Sequence, residues 1–332
     1  MHDPCVFYKL LQDDVCILSV HVDDEMCIGP PNEIDEIILK LRKHLDVVET
    51  ANDSYLGLHV ERDANGITVD QSGYIERVLH RYKMADCKPV SSLSDVSQSL
   101  DDCHDSPSCD KTMYQELLGS LMFLMVGTRA DLSHTLTNLA RFAHDPKVMH
   151  YQALKRVLRY VKGTKHLKLF FPAQKQLVLQ GESDASWSVT ADGKGFSAYL
   201  VKAAGCLISW KSTKQRLVAL SSAESELMAL VDCVRELVWA RNMLSELNIN
   251  NLVRYPIIVE VDSQAVISMV ESLGMSPRCK HFRRKLHFVK DEVDKGNVKL
   301  AYKPGKCLTA DVLTKGVSGK AMTNVLDKLN LL

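Results

Sequence analysis

Asp184, Glu224, Asp262 and Asp311 are the residues whose types and spacing point most directly to chemistry. Asp184 ends the first strand of the last part of the chain, Glu224 opens a long helical stretch beside Ser221 and Ser222, Asp262 follows YPIIVEV, and Asp311 comes after Pro304-Gly305. In an α/β sheet, reactive groups gather where strands stop and helices begin. If the strands bearing Asp184 and Asp262 pair in parallel, their carboxylates meet. Three or four clustered carboxylates stay ionised only with cations among them. Oxygen-only ligation suits Mg²⁺ or Mn²⁺. Two such ions about 4 Å apart are an established arrangement for phosphodiester cleavage. Taken singly, each acid also has a plain reading: Asp262-Ser263 as a helix cap, Glu224 as an acid favoured by a helix dipole. A second acidic pair, Asp23-Asp24, interrupts the apolar run CILSVHVDDEMCIGP. Inside a buried strand such a pair needs a cation upon it.

The elements that must position these residues follow from periodicity. VFYKLL and CILSVHV read as strands, 33–44 as an amphipathic helix, and SYLGLHVERDANGITVDQ as a hairpin turning at Asn65-Gly66. Residues 91–111 are rich in Ser and Asp and read as a linker. Cys103, His104 and Cys109 lie there, but no second ligand pair at zinc-finger spacing accompanies them. Three helices follow. The stretch between Pro146 and Gly181 holds no acid, yet contains Lys147, Lys155, Arg156, Arg159, Lys162, Lys165, Lys168 and Lys175. It reads either as a solvated helix face or as a surface for a polyanion. From about 176 onward the pattern is three strands, a long helix, a strand, two helices, a strand and a final helical stretch.

The 332 residues carry 41 basic and 41 acidic side chains, so no net charge argues for or against nucleic acid. The ten cysteines are scattered through apolar stretches rather than spaced as a disulfide framework. No apolar run is long enough to cross a bilayer, and no signal-like leader is present. The expectation is an intracellular protein, cytoplasmic, in a virus-like particle or nuclear.

SDASW, SWKSTKQRLVALSSAESELMAL, VDSQA and KHFRRKLHFVKDEV with VKLAYKPGKCLTADVLTKG resemble successive motifs of the ribonuclease H domain of copia-type retrotransposon Pol polyproteins. DPCVFYKL, HVDDEMCIG, the hairpin stretch through CKPVSS, and LLGSLMFLMVGTRADLSHTLTNLARF resemble the reverse transcriptase part of the same polyprotein. The resemblance implies a truncated palm and thumb, α/β and α+β, followed by a mixed-sheet domain like ribonuclease H. It implies these parts: a partial palm at 1–90, the linker at 91–111, a helical thumb or connection at 112–174, and the ribonuclease H-like domain at 175–332.

By the same resemblance, Asp184, Glu224, Asp262 and Asp311 are the four metal-binding catalytic acids, holding two Mg²⁺ or Mn²⁺ ions. Ser263 and Gln264 approach the RNA strand, while Lys155, Arg156, Arg159 and Lys162 hold the nucleic acid. The implied reaction cuts RNA in an RNA–DNA hybrid, leaving 3′-hydroxyl and 5′-phosphate ends. Asp23 and Asp24 match the paired acids of the polymerase motif, with His21 where the family has tyrosine and Glu25 where it has methionine. The palm strand with a further catalytic aspartate has no counterpart after Met1, so this chain alone is expected not to polymerise DNA. Two other readings stand beside the nuclease: an inactive remnant that only binds template, primer or hybrid, and a reading frame that starts too late.

Overall fold

The computed structural model describes residues 3–331 apart from 13, 51–53, 94–99, 102–104, 174–176, 191, 273–281, 317–320 and 330. Cys103, His104 and Lys175 lie outside the described residues.

Strands β1 (Val6–Leu10), β2 (Val15–His21) and β3 (Asp24–Ile28) form an antiparallel sheet, followed by α1 (Pro31–Leu41). The chain reverses at Val22 and Asp23, with Val22 at a φ of 56°. Asp23 and Asp24 are therefore exposed at a hairpin turn, not set within a buried strand. The apolar run ends at His21, and in water the two carboxylates incur no desolvation penalty.

β4 (Ser54–Tyr55), β5 (Leu58–Arg62) and β6 (Gly66–Asp70) form a second antiparallel sheet, with the expected reversal at Asn65-Gly66. The Asp63 carboxylate accepts from the backbone N–H of Asn65 at 2.7 Å and of Gly66 at 3.0 Å, which fixes that turn. A fourth strand, β7 (Leu169–Pro172), pairs with β6 from about a hundred residues downstream. Only glycine fits at position 66, because a Cβ there would stand 2.1 Å from the Phe171 carbonyl oxygen.

Helix α2 (Ser72–Arg81) is followed by α3 (Lys111–Gly127), α4 (Ser133–Ala140) and α5 (Val148–Gly163). Asp110 caps α3 by accepting from the Met113 N–H at 2.9 Å. Leu117, Leu121 and Leu124 recur at three- and four-residue spacing and pack with Leu136, Leu154 and Leu158 in a fully buried cluster. Within this apolar bundle lies a charged group. The Arg129 guanidinium donates to both oxygens of Asp131, at 3.0 and 2.7 Å, and to the Thr164 hydroxyl at 2.7 Å. Tyr160 donates to the same carboxylate at 2.8 Å.

The remaining strands are β8 (Leu179–Ser186), β9 (Phe196–Ala203), β10 (Cys206–Lys214), β11 (Ile257–Val261) and β12 (Val298–Tyr302), in spatial order β10-β9-β8-β11-β12. The first three run antiparallel as a meander, and β11 is parallel to both β8 and β12. Helices α6 (Ser222–Glu246), α7 (Gln264–Glu271), α8 (Arg283–Asp294) and α9 (Ala321–Leu329) complete the chain, with single 3₁₀ turns at Gly305–Cys307 and Ala310–Leu313. This is a five-stranded sheet of mixed orientation with helices packed against it.

One apolar cluster joins α6 to β8 and β11 through Leu230, Cys233, Leu237 and Val259. The other extends from the α3–α5 bundle onto Leu200 and Leu207 of the sheet and onto Leu313, Val325 and Leu329 near the carboxyl end. The core thus crosses the expected boundary between residues 174 and 175. Polar contacts cross it too: Trp210 Nε1 donates to the Met125 carbonyl at 2.8 Å, and the Thr137 hydroxyl to the Ser212 carbonyl at 3.0 Å.

The buried Arg129–Asp131 pair yields a stability prediction. Asp131→Ala leaves an uncompensated guanidinium in the bundle and is expected to cost about 3–5 kcal/mol. The double change Arg129→Met with Asp131→Leu should cost less than Asp131→Ala alone. Urea unfolding of the three proteins checks the order.

Candidate metal centre

Parallel pairing of β8 with β11 sets Ser183 beside Val261, so the next residues along, Asp184 and Asp262, are neighbours. Asp184 does not end β8, which continues to Ser186 along β9. It stands where the parallel partner ends. The third acid arrives from the helix above the sheet. Carboxylate oxygens of Asp184, Glu226 and Asp262 lie within 4.8 Å of one another, the one grouping of three acid, histidine or cysteine side chains this close among the described residues.

Glu226, not Glu224, is the acid that α6 delivers. Glu224 lies in the first turn, where its N–H donates to the Ser221 hydroxyl at 3.3 Å and its carboxylate accepts from the Leu220 N–H at 2.7 Å. This reciprocal arrangement is a helix-capping role. Glu226 instead shares the buried face of α6 with Leu230, Cys233 and Leu237, at spacings of four and three residues. A sequence signal for the distinction existed: Ser221-x-x-Glu224 has the spacing of a capping box, which commits Glu224 to the helix end.

The electrostatics are those of a crowded anionic site. Glu226 Oε1 accepts from the Ala185 N–H at 3.2 Å, whereas buried Oε2 has no hydrogen-bond partner among the described residues. Burial, then the charges of Asp184 and Asp262, push the Glu226 carboxyl up to about 9. Burial likewise pushes Asp184 up to about 6; Asp311 and Asp262 add to the rise, while a hydrogen bond from the Thr314 hydroxyl opposes it. Asp262 is raised by burial and by Asp311. Gly305 lies against this group, and a Cβ there would come within 2.9 Å of Asp262 Oδ2. An orphaned buried oxygen, three convergent carboxylates and a closely approaching glycine fit a hard divalent cation.

Asp311 is on the 3₁₀ turn at Ala310–Leu313, outside the close trio but near enough for its charge to act on Asp184 and Asp262. Glu182 fixes this turn from below. Its buried carboxylate accepts from the N–H of Thr309 at 2.5 Å and of Ala310 at 3.2 Å, while Lys202 and Lys303 lie 3.2 and 3.5 Å away. Burial would raise this carboxyl, but the two lysines and the Thr309 N–H hold it below its ordinary value. Sequence reasoning passed over Glu182; its signal was an acid two residues before Asp184, and hence on the same face of β8.

The other sequence-derived candidates are placed differently. The Ser263 hydroxyl caps α7, accepting from the Val266 N–H at 3.3 Å, and Gln264 is exposed at the first position of that helix. Three of the four cations expected to hold nucleic acid are engaged within the chain. Arg156 donates to the Ser92 hydroxyl at 2.8 Å, Arg159 to the Lys88 carbonyl at 2.8 Å and Lys162 to the Cys87 carbonyl at 2.6 Å. Nearby, Lys165 pairs with Glu76 and Lys168 with Glu61. The acid-free block is in part the counterpart of acids and carbonyls upstream. Lys155 is exposed, over the Tyr151 ring at 4.9 Å.

A family model described as reverse transcriptase (RNA-dependent DNA polymerase) matches residues 3–93. The retrovirus-related Pol polyprotein from transposon TNT 1-94 of Nicotiana tabacum is 32% identical over 330 residues, covering 95% of this chain and 24% of the polyprotein. That from transposon RE1 of Arabidopsis thaliana is 30% identical over 332 residues, covering 99% of this chain and 22% of the polyprotein. This chain belongs to the copia-like retrotransposon Pol family. It spans about a quarter of the length of these polyproteins. Among solved structures, LC11-RNase H1 in complex with RNA/DNA hybrid matches at 17% identity, covering 41% of this chain and 92% of that one, with a TM-score of 0.32. At that score the likeness carries no argument, and the fold rests on the sheet order. Among the described residues of this Pol segment, no helix is long and apolar enough to cross a membrane.

The raised carboxyls set a pH dependence. A carboxyl whose folded value exceeds its unfolded value binds more protons when folded, so stability falls as pH rises between the two. For Asp184 that window runs from 3.8 to about 6, and for Glu226 from 4.5 to about 9. In chelator, the melting temperature should therefore decline from about pH 4 to about pH 9. Mg²⁺ should restore it most at the alkaline end and release protons as it binds near neutrality. Thermal melts across pH with EDTA or Mg²⁺, and calorimetry in buffers of different ionisation enthalpy, check both signs.

Proposed function

We propose that this Pol segment carries a ribonuclease H, hydrolysing the RNA strand of RNA–DNA hybrids with divalent metal at Asp184, Glu226 and Asp262. The observation supporting it is the convergence of three carboxylates from β8, α6 and the end of β11, one with a buried unpartnered oxygen. Membership of the Pol family supplies the substrate class. Divalent cations held there would supply Lewis-acid activation of the phosphodiester and stabilise charge on the leaving oxygen.

The chain's own residues do the rest. Asp184 and Asp262 are fixed by strand register, and Glu226 by the Ala185 N–H. Asp311 brings a fourth carboxylate on the turn held by Glu182. Gln264, exposed at the start of α7 and two residues after Asp262, would meet a sugar or base edge. Lys155, exposed on α5, would favour the phosphate backbone, and that binding would weaken with salt.

The paired acids at the β2–β3 turn are a poorer candidate for chemistry in this segment. Among the described residues, no third acid, histidine or cysteine joins Asp23 and Asp24 in a grouping of metal-binding size.

The purified chain with Mg²⁺ is expected to cut a labelled RNA–DNA hybrid. Glu226→Gln and Asp262→Asn should each lower the rate by at least about a thousandfold, as loss of a group acting on transition-state charge does. Glu224→Gln should retain most activity and stability, since a glutamine oxygen still accepts from the Leu220 N–H. Cleavage that survives Glu226→Gln and fails in Glu224→Gln would return the role to Glu224.

A further inference from the structure

The four acids around the centre are not equivalent. Asp184, Glu226 and Asp262 crowd together, whereas Asp311 has a cation already: the Lys315 ammonium is in direct contact with Asp311 Oδ1. Asp311 is the sole carboxylate paired with Lys315 among the described residues. The Lys315 side chain is 61% exposed and its partner 26%, so the ammonium reaches the acid from solvent and has room to leave. Its neighbour Thr314, buried, donates a hydrogen bond to Asp184 Oδ2 and lies 3.0 Å from the Asp311 carbonyl oxygen. One short turn thus engages both carboxylates on this side of the centre, Asp184 through a hydroxyl and Asp311 through an ammonium.

We propose that Lys315 is a tethered counter-cation that occupies Asp311 until a second divalent ion, shared between Asp184 and Asp311, displaces it. The proposal rests on the ribonuclease H reading only for the use of that second ion. An ammonium and a divalent ion cannot share one carboxylate without strong like-charge repulsion, so the two occupants exclude each other. The trio is less contested: it contains an unpartnered oxygen and, among the described residues, no ion pair, and the Lys315 charge reaches its three carboxyls only from a distance. The two halves of the centre therefore fill unequally, first at the trio and then, at higher metal concentration, at Asp311. Once displaced, Lys315 is a free ammonium at the rim of the site, where an incoming phosphate offers it a new partner.

The test is Mn²⁺ binding to the full chain without nucleic acid, read as free Mn²⁺ by electron paramagnetic resonance and as heat by calorimetry. The wild type is expected to bind one ion tightly and a second weakly. Lys315→Met should tighten the second ion roughly fivefold, the scale of a partly exposed ion pair, and the first by clearly less, because the ammonium touches Asp311 and acts on the trio only from a distance. Lys315→Arg keeps the charge and should follow the wild type, whereas Asp311→Asn should lose the second ion. Coincident isotherms for wild type and Lys315→Met would overturn the proposal, as would equal tightening by Lys315→Arg or a single ion in every variant. Hybrid cleavage separates this from the broader reading. Shifted isotherms without cleavage uphold the Lys315 role and sink the nuclease, and cleavage with unshifted isotherms does the reverse.

Discussion

The parallel register between β8 and β11 is the constraint on which the rest of the centre depends. It sets Asp184 against Asp262 at the point where β11 ends, so the backbone holds the two residues as neighbours whatever their side chains do. Everything nearby answers that crowding. α6 lays Glu226 over the pair through a face otherwise made of Leu230, Cys233 and Leu237. Burial, together with the charges of Asp184 and Asp262, pushes Glu226 up to about 9, against about 6 for Asp184. The fold stores an electrostatic debt here that cation binding relieves.

A few residues away on the same strand, Glu182 shows the opposite solution. It is as buried as Asp184, yet two lysines and two backbone N–H groups surround it, so its charge is fully compensated. Two acids on one face of β8 thus have contrasting environments. One is satisfied by the protein and anchors the turn bearing Asp311; the other is left wanting. That contrast, more than the presence of acids, separates a structural carboxylate from one suited to metal.

Much of this was legible in the sequence, for identifiable reasons. Alternation and turn chemistry place β5, β6 and the reversal at Asn65-Gly66, because an Asn-Gly turn and a half-buried hairpin are local properties. The apolar run YPIIVEV marks β11 as a central strand, and with it the placement of Asp262. What was not legible is non-local. β7 pairs with β6 across the whole helical bundle, and no periodicity in LFFP announces its partner. Arg156, Arg159 and Lys162 read as a free basic face because their partners, Ser92 and the carbonyls of Lys88 and Cys87, lie some sixty to eighty residues upstream. Glu224 and Glu226 are both acids near a helix start; the capping-box spacing marks Glu224, but that Glu226 meets Asp184 and Asp262 depends on the helix phase, which packing on the sheet fixes.

The amino-terminal sheet follows a different economy from the rest. In β1–β3 and α1 Cys16 is the sole buried side chain among the described residues, while Phe7, Leu10, Ile28 and Leu39 are about half exposed or more. Backbone pairing and the Lys9–Glu33 bridge hold this unit together, and exposed bridges add little. Several of its apolar side chains are half exposed or more and its acidic turn faces solvent, in contrast to the buried surroundings of Asp184 and Glu226. A carboxylate pair in water has no unpaid desolvation for a metal to relieve. By that measure, the better candidate for a metal site is the sheet whose register brings its acids together.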